Sequence, residues 1–243
     1  SGEPDEVKLH SGLGGMIDGM ACEMRVLPEY GLCHTPAHLS DAEAAALPCA
    51  GLTAWSAVLD QGGVQPGDHV LTQGSGGVSV FALQFAKLAG AEVIVTSSSD
   101  AKLERLQSLG ADHLINYAET PEWARPAREI SGGRGMDLVV EVGGAGTLEQ
   151  SVKAVRLGGA VMLIGVLSGA NHDFRLPLVV TRKVRLEGVT CGSYEQFEAM
   201  LRAIDTNGLR PALDDIRFGL DELPAALAHL REGRHFGKVV VEI

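Results

Sequence analysis

Long apolar runs, patterned cysteines and an excess of positive charge are all missing from this sequence, and each absence closes off a class of function. No apolar stretch reaches the roughly 18 residues that span a bilayer, and residues 1–5 carry neither a basic nor an apolar leader pattern. A membrane is therefore not expected as a partner, and a cytoplasmic setting is. Lys and Arg number 20 against 31 Asp and Glu, a formal charge of −11. Such a surface repels phosphate backbones, so no nucleic acid is expected as a partner either. The four cysteines, Cys22, Cys33, Cys49 and Cys191, stand 11, 16 and 142 positions apart with no C-x-x-C. Neither a disulfide framework nor a zinc ribbon is encoded, which fits a reducing compartment. Aromatic residues make up only 5% of the chain, whereas glycine supplies 31 of 243 residues. That is well above the usual share of about 7% and implies many tight turns. With 45% hydrophobic and 21% charged residues, the chain has the balance of a globular protein able to bury a core without disulfides, and disorder is excluded.

The glycines punctuate an alternation. Apolar or β-branched runs at His69 to Gln73, Glu92 to Ser97, His113 to Tyr117, Asp137 to Val142, Ala160 to Gly165 and Arg185 to Cys191 are separated by helix-like stretches. Val78, Phe81, Ala82, Phe85 and Leu88 recur at helical spacing up to Gly90. Leu103, Leu106 and Leu109 mark a second helix, capped by Ser99 or Asp100 and ended at Gly110. This pitch predicts right-handed crossovers and an α/β fold, a doubly wound parallel sheet of six strands covered on both faces. The two ends read differently. Residues 1–38 are rich in turn residues with a strand expected at Met20 to Leu27, and Ser40-Asp41-Ala42-Glu43 is a capping box that opens a helix. Pro48 breaks or restarts that helix, which then runs on to Gly62-Gly63. Past residue 191, helices around Tyr194 to Asp205 and Asp221 to Arg231 precede a last strand at Lys238 to Ile243.

The most informative segment is His69-Val70-Leu71-Thr72-Gln73-Gly74-Ser75-Gly76-Gly77-Val78-Ser79, a strand running into a glycine turn that opens a helix. Gly74 permits the turn, and Gly76 lets backbone approach a pyrophosphate. The N–H groups of Ser75, Gly77 and Val78 at the helix start offer partial positive charge to the anion. Ser79 replaces the third glycine of this dinucleotide fingerprint, a small change. A glycine-rich turn that binds nothing is the plain alternative, but the flanking strands and helices favour a nucleotide. Ser97-Ser98-Ser99 stands 23 residues after Gly74, where a free ribose 2′-hydroxyl would call for a carboxylate. Hydroxyls of Ser97 and Ser98 suit a 2′-phosphate, and Lys102 one turn on adds charge, so NADP(H) is favoured over NAD(H). Asp100 could still reach a ribose. The absent carboxylate also argues against methyltransferases that bind S-adenosylmethionine.

Asp18-Gly19, Leu27-Pro28-Glu29, Leu47-Pro48-Cys49-Ala50-Gly51-Leu52-Thr53-Ala54-Trp55, the glycine turn, Leu109-Gly110-Ala111-Asp112-His113-Leu114-Ile115-Asn116-Tyr117 and Phe236-Gly237-Lys238-Val239-Val240 extend over nearly the whole chain. Together they resemble the medium-chain dehydrogenase/reductase superfamily, in its zinc-type alcohol dehydrogenase-like and quinone oxidoreductase-like branches. The resemblance implies a Rossmann domain over residues 40–195, flanked by the tail end of a GroES-like β-domain at 1–39 and by a segment, 196–243, that returns to it. It implies that Thr53 sits near the nicotinamide and that Lys102 and Tyr117 border the adenosine 2′-phosphate. The Val166-Leu167-Ser168 loop would pass under the nicotinamide, Lys238 would close over the cofactor, and the sixth strand would pair with its twin in a homodimer. Plain structural alternatives exist: Thr53 as a helix hydroxyl bonded to its own backbone, Lys102 and Lys238 as solvated charges, Tyr117 as a strand-end aromatic.

Most of the GroES-like domain is absent, and the start at Ser1-Gly2 without Met fits a fragment, a processed product or a truncated form. In zinc-dependent relatives the catalytic metal takes two ligands from that domain and a cysteine at the place of Cys49. One thiolate cannot hold catalytic zinc, which needs three protein ligands and an open position. No metal is therefore expected, Cys49 being the only candidate. His34, His69, His113 and His235 do not pair at metal spacing, and Cys191 is expected in the core. The expected activity is NAD(P)H-dependent hydride transfer to or from a small carbonyl or conjugated carbonyl substrate, with no catalytic acid to name. A zinc-dependent alcohol dehydrogenase and a nucleotide-binding module without catalysis are the alternatives.

Overall fold

The computed structural model describes residues 10–171 and 173–243, so residues 1–5, with their missing leader pattern, lie outside it. Two compact units are formed: one runs to Pro48 and resumes over Gly192–Ile243, and the other is Cys49–Cys191.

In the first unit, residues 10–39 hold an isolated bridge between Leu13 and Ile17 and a single turn at Glu29–Gly31. The strand expected at Met20 to Leu27 does not form. Met24 and Val26 are exposed, and a strand needs both a hydrogen-bonded neighbour and an apolar face to bury. Helix α1 (Asp41–Ala45) starts where the capping box places it: Ser40 Oγ accepts the Glu43 N–H at 3.3 Å, and the Glu43 carboxylate accepts the Ser40 N–H at 2.8 Å.

The second unit opens on a helical run in which α2 (Leu52–Trp55) lies between two wider π turns, Leu47–Gly51 and Ser56–Asp60. Strands β1 (His69–Gln73), β2 (Glu92–Ser97), β3 (His113–Asn116), β4 (Met136–Glu141), β5 (Val155–Leu163) and β6 (Arg185–Gly188) then alternate with five helices. These are α3 (Gly77–Leu88), α4 (Asp100–Ser108), α5 (Ala124–Ile130), α6 (Leu148–Ala154) and α7 (Leu176–Arg182). All six strands are parallel, in the order β3-β2-β1-β4-β5-β6. The order reverses between β1 and β4, the switch point where doubly wound sheets open a crevice at their carboxyl ends. Val70, Leu71, Val93, Ile94, Val95, Val139 and Val140 are fully buried, as continuous apolar strands covered on both faces must be.

Several boundaries differ from expectation. Strand β5 starts at Val155 rather than Ala160, with a register shift opposite Met136 and Leu138. Tyr117 falls just past β3. Strand β6 stops at Gly188, so Cys191 is half-buried beyond an edge strand and not a core residue.

A charged knot ties the start of β4 to its neighbours. Asp137 accepts from the His69 N–H at 3.0 Å, from both Arg134 terminal nitrogens at 2.7 Å and from Arg156 Nε. Burial pushes this carboxyl up, but those donors outweigh it and hold it below the usual carboxylate range.

The first unit resumes with α8 (Tyr194–Asn207), capped by Ser193 and stopped at Gly208, then β7 (Leu213–Gly219), α9 (Leu223–Arg231) and β8 (Lys238–Glu242). Strands β7 and β8 pair in parallel. Among the described residues, no helix is long and apolar enough to cross a membrane.

Candidate cofactor-binding site

The turn between β1 and α3 has the backbone an anion site requires. Gly74 adopts φ +75°, which a side chain would strain, and its N–H donates to the Thr96 carbonyl oxygen at 2.7 Å. Gly76 is the N-cap of α3, and no side chain caps the helix there. A Cβ placed on Gly74 or Gly76 would meet nothing within 4 Å, so the space beside these two residues is open where the first N–H groups of the helix have no intrahelical partner. Open space before an uncapped helix start fits a dinucleotide pyrophosphate. Ser75 is buried beside it. Ser79, in place of the third glycine, is buried too, and its hydroxyl donates to the Gln73 carbonyl oxygen at 2.5 Å.

Parallel register brings the ends of β2 and β3 alongside. Ser97 is buried, its carbonyl oxygen accepts the Tyr117 N–H at 3.0 Å, and its hydroxyl accepts the Ser99 N–H at 3.3 Å. Ser99 caps α4 by accepting the Lys102 N–H at 3.4 Å. Ser98 and Tyr117 are exposed and Lys102 is half-buried on the first turn. Asp100, the acid that could have served a ribose, accepts the Asn116 side-chain amide at 2.7 Å.

On the other side of the switch point, Val166 and Leu167 lie exposed on the loop after β5. That loop is fixed by Ser168: its N–H and hydroxyl both donate to the Gly143 carbonyl oxygen at 2.7 Å, and its hydroxyl accepts the Gly146 N–H at 2.8 Å. Gly144 lies so close that a Cβ would come within 2.8 Å of the Val166 Cα. Thr53 is buried on α2, 3% exposed.

The remaining candidates belong to other elements. Lys238 opens β8 in the other unit. Cys49 is exposed rather than buried as a helix cysteine usually is, with the Cys191 Sγ 4.0 Å from its carbonyl oxygen. Among the described residues there is no group of three His, Cys, Asp or Glu side chains that could hold a metal ion. His69 and His113 both approach Glu92, at 3.5 and 2.7 Å, at the amino end of the sheet, opposite the glycine turn. Sequence reasoning missed a buried polar cluster around Glu141. This carboxylate closes a strand buried along its whole length, directly after the apolar run Leu138-Val139-Val140, and a charge at such a position was the available signal.

Residues 77–206 match the family described as zinc-binding dehydrogenase. A zinc-type alcohol dehydrogenase-like protein of Schizosaccharomyces pombe is 41% identical over the whole chain, which covers 71% of that relative. A crystal structure of an NAD-dependent alcohol dehydrogenase superposes with a TM-score of 0.90 at 39% identity, covering 95% of this chain and 67% of that one. The 2-octenoyl-CoA carboxylase reductase CinF, solved with NADP and 2-octenoyl-CoA, superposes with a TM-score of 0.79 at 30% identity, over 85% of this chain and 51% of that one. Fold and relatives thus define a Rossmann oxidoreductase of the nicotinamide-dependent class. Within that class, the chain belongs to the zinc-binding dehydrogenase family of medium-chain dehydrogenases/reductases.

Proposed function

We propose that this chain binds NADP(H) in preference to NAD(H) and transfers hydride between its nicotinamide and a small carbonyl or conjugated carbonyl compound. The observation that carries the reading is the uncapped start of α3 behind the open space at Gly74 and Gly76. Gly74, Ser75, Gly76, Gly77 and Val78 would hold the pyrophosphate. Ser97, Ser98, Lys102 and Tyr117 would surround the 2′-phosphate, a preference supported by the Asp100 carboxylate being engaged with Asn116. Thr53, Val166 and Leu167 would face the nicotinamide, with Lys238 closing over the cofactor. The bound cofactor supplies the hydride chemistry, and the protein supplies position and field. Residues 40–195 would be the Rossmann domain, with 1–39 and 196–243 as parts of a GroES-like domain. The enzyme would act without metal, in the cytoplasm, as a homodimer paired through the β6 edge. Stoichiometric zinc in a full-length protein that includes the rest of the GroES-like domain would replace this reading with a zinc-dependent alcohol dehydrogenase having Cys49 as a ligand.

The decisive variant is Gly76→Val. Gly76 has φ −76°, which any residue adopts, and a Cβ there meets no atom within 4 Å, so the fold should survive while the cradle fills. NADPH titration by fluorescence should show saturable binding to the native chain and at least roughly tenfold weaker binding to the variant. Equal affinity in both would refute the site, and binding without consumption of NADPH across an aldehyde, quinone and enone panel would favour a non-catalytic module.

A further inference from the structure

Inside the nucleotide-binding unit, a single buried carboxylate is bonded to both sides of the crevice. Glu141, fully buried at the end of β4, accepts with one oxygen from the Gly143 N–H at 2.8 Å, the Gly144 N–H at 2.9 Å and the Thr147 hydroxyl. Its other oxygen accepts from the Gln73 side-chain amide at 2.7 Å and from the Ser151 hydroxyl. Gln73 is the last residue of β1, directly before Gly74. Its side-chain oxygen accepts the Val142 and Gly143 N–H groups at 3.3 and 3.4 Å, its amide also donates to Ser151 Oγ at 2.7 Å, and its backbone oxygen accepts from Ser79. From Gly143, Ala145 and Gly146 the chain of bonds continues to Ser168 and Gly169 on the loop carrying Val166 and Leu167.

We infer that Glu141 and Gln73 are positioning residues for the cofactor: their paired side chains fix the spacing between the pyrophosphate turn and the loop under the nicotinamide. This rests on the cofactor reading proposed above. Both loops follow carboxyl ends of central strands, and both are glycine-rich, with little side-chain packing of their own to hold them. A buried network with every donor and acceptor matched can set such a distance rigidly. Misplacement of a reacting group by about 1 Å can cost about a hundredfold in rate.

The pairing permits a reciprocal test. Glu141→Gln alone sets two amide donors against each other, and Gln73→Glu alone sets two carboxylates against each other. The double variant Gln73→Glu/Glu141→Gln restores every donor to an acceptor. NADPH affinity and the emission of the bound nicotinamide are read together with Tm. Each single variant should bind roughly tenfold more weakly with altered nicotinamide emission, and the double variant should recover both. Ser168→Ala, at the exposed end of the same chain of bonds, covers the case in which a single variant does not fold. It should weaken NADPH binding by roughly threefold through the loss of the two hydrogen bonds its hydroxyl makes to Gly143 and Gly146. Single variants that lose Tm but keep native affinity and emission, a double variant that recovers neither, or an unchanged Ser168→Ala would overturn the inference while leaving the cofactor reading intact. A native chain that binds neither NADPH nor NADH would overturn both.

Discussion

Ser79 shows how a departure from a motif becomes legible only in three dimensions. In the sequence it is a tolerated replacement for glycine, whereas in the fold its buried hydroxyl pins the first turn of α3 to the end of β1. Gly74 and Gly76 could be read in advance because their job is local: a positive φ and an uncovered backbone depend on neighbours within a few residues. The pairing of Glu141 with Gln73 could not, since the two lie 68 residues apart and only the crossover brings them together. The proposed 2′-phosphate contacts belong to this scale as well. Ser97→Asp places a carboxylate where the phosphate would bind. It should shift the NADPH/NADH affinity ratio toward NADH by roughly tenfold or more, as an unfavourable charge pair of about 1.4 kcal/mol would. An unchanged ratio in paired titrations would show that the end of β2 does not discriminate.

Among the elements, the first two strands of the sheet were the easiest to read, and β5 and β6 were harder. Strands β1 and β2 begin and end where the apolar runs do, because burial on both faces forces a continuous pattern. Strand β6 is shorter than its sequence run, as an edge strand with one neighbour can be. Strand β7 went unread because its polar Asp214-Asp215 pair masks it. Asp214 is in fact buried and accepts the Phe236 N–H at 2.7 Å and His229 Nε2 at 3.1 Å. The Asp137 knot makes a prediction about pH. Its carboxyl is held below the unfolded value of about 3.9. The folded state therefore binds fewer protons between the two values, and the stabilisation is complete above about pH 5 and lost as pH falls through the folded pKa. Asp137→Asn should lower Tm at pH 7 and flatten the decline of Tm between pH 5 and pH 3. A decline as steep as the native one would show that the knot contributes nothing to acid sensitivity.

For the molecule as a whole, the doubly wound parallel sheet of six strands was legible from alternation alone, while strand order, substrate and assembly were not, because they depend on contacts and surfaces with no local signature. The exposed Leu186 on the edge strand β6 supports the proposed pairing of two copies there, since open edges invite covering. Leu186→Lys should shift the chain from dimer to monomer in light scattering coupled to gel filtration, with NADPH binding retained. A native chain that is monomeric at micromolar concentration would remove the dimer from the proposal.

The site itself is tested most directly by a crystal structure of the chain grown in saturating NADPH. Diphosphate oxygens within hydrogen-bond reach of the Gly77 and Val78 N–H groups, with the 2′-phosphate beside Ser97 and Ser98, are the result expected. A cofactor bound elsewhere, or a glycine turn left empty at saturation, would contradict it.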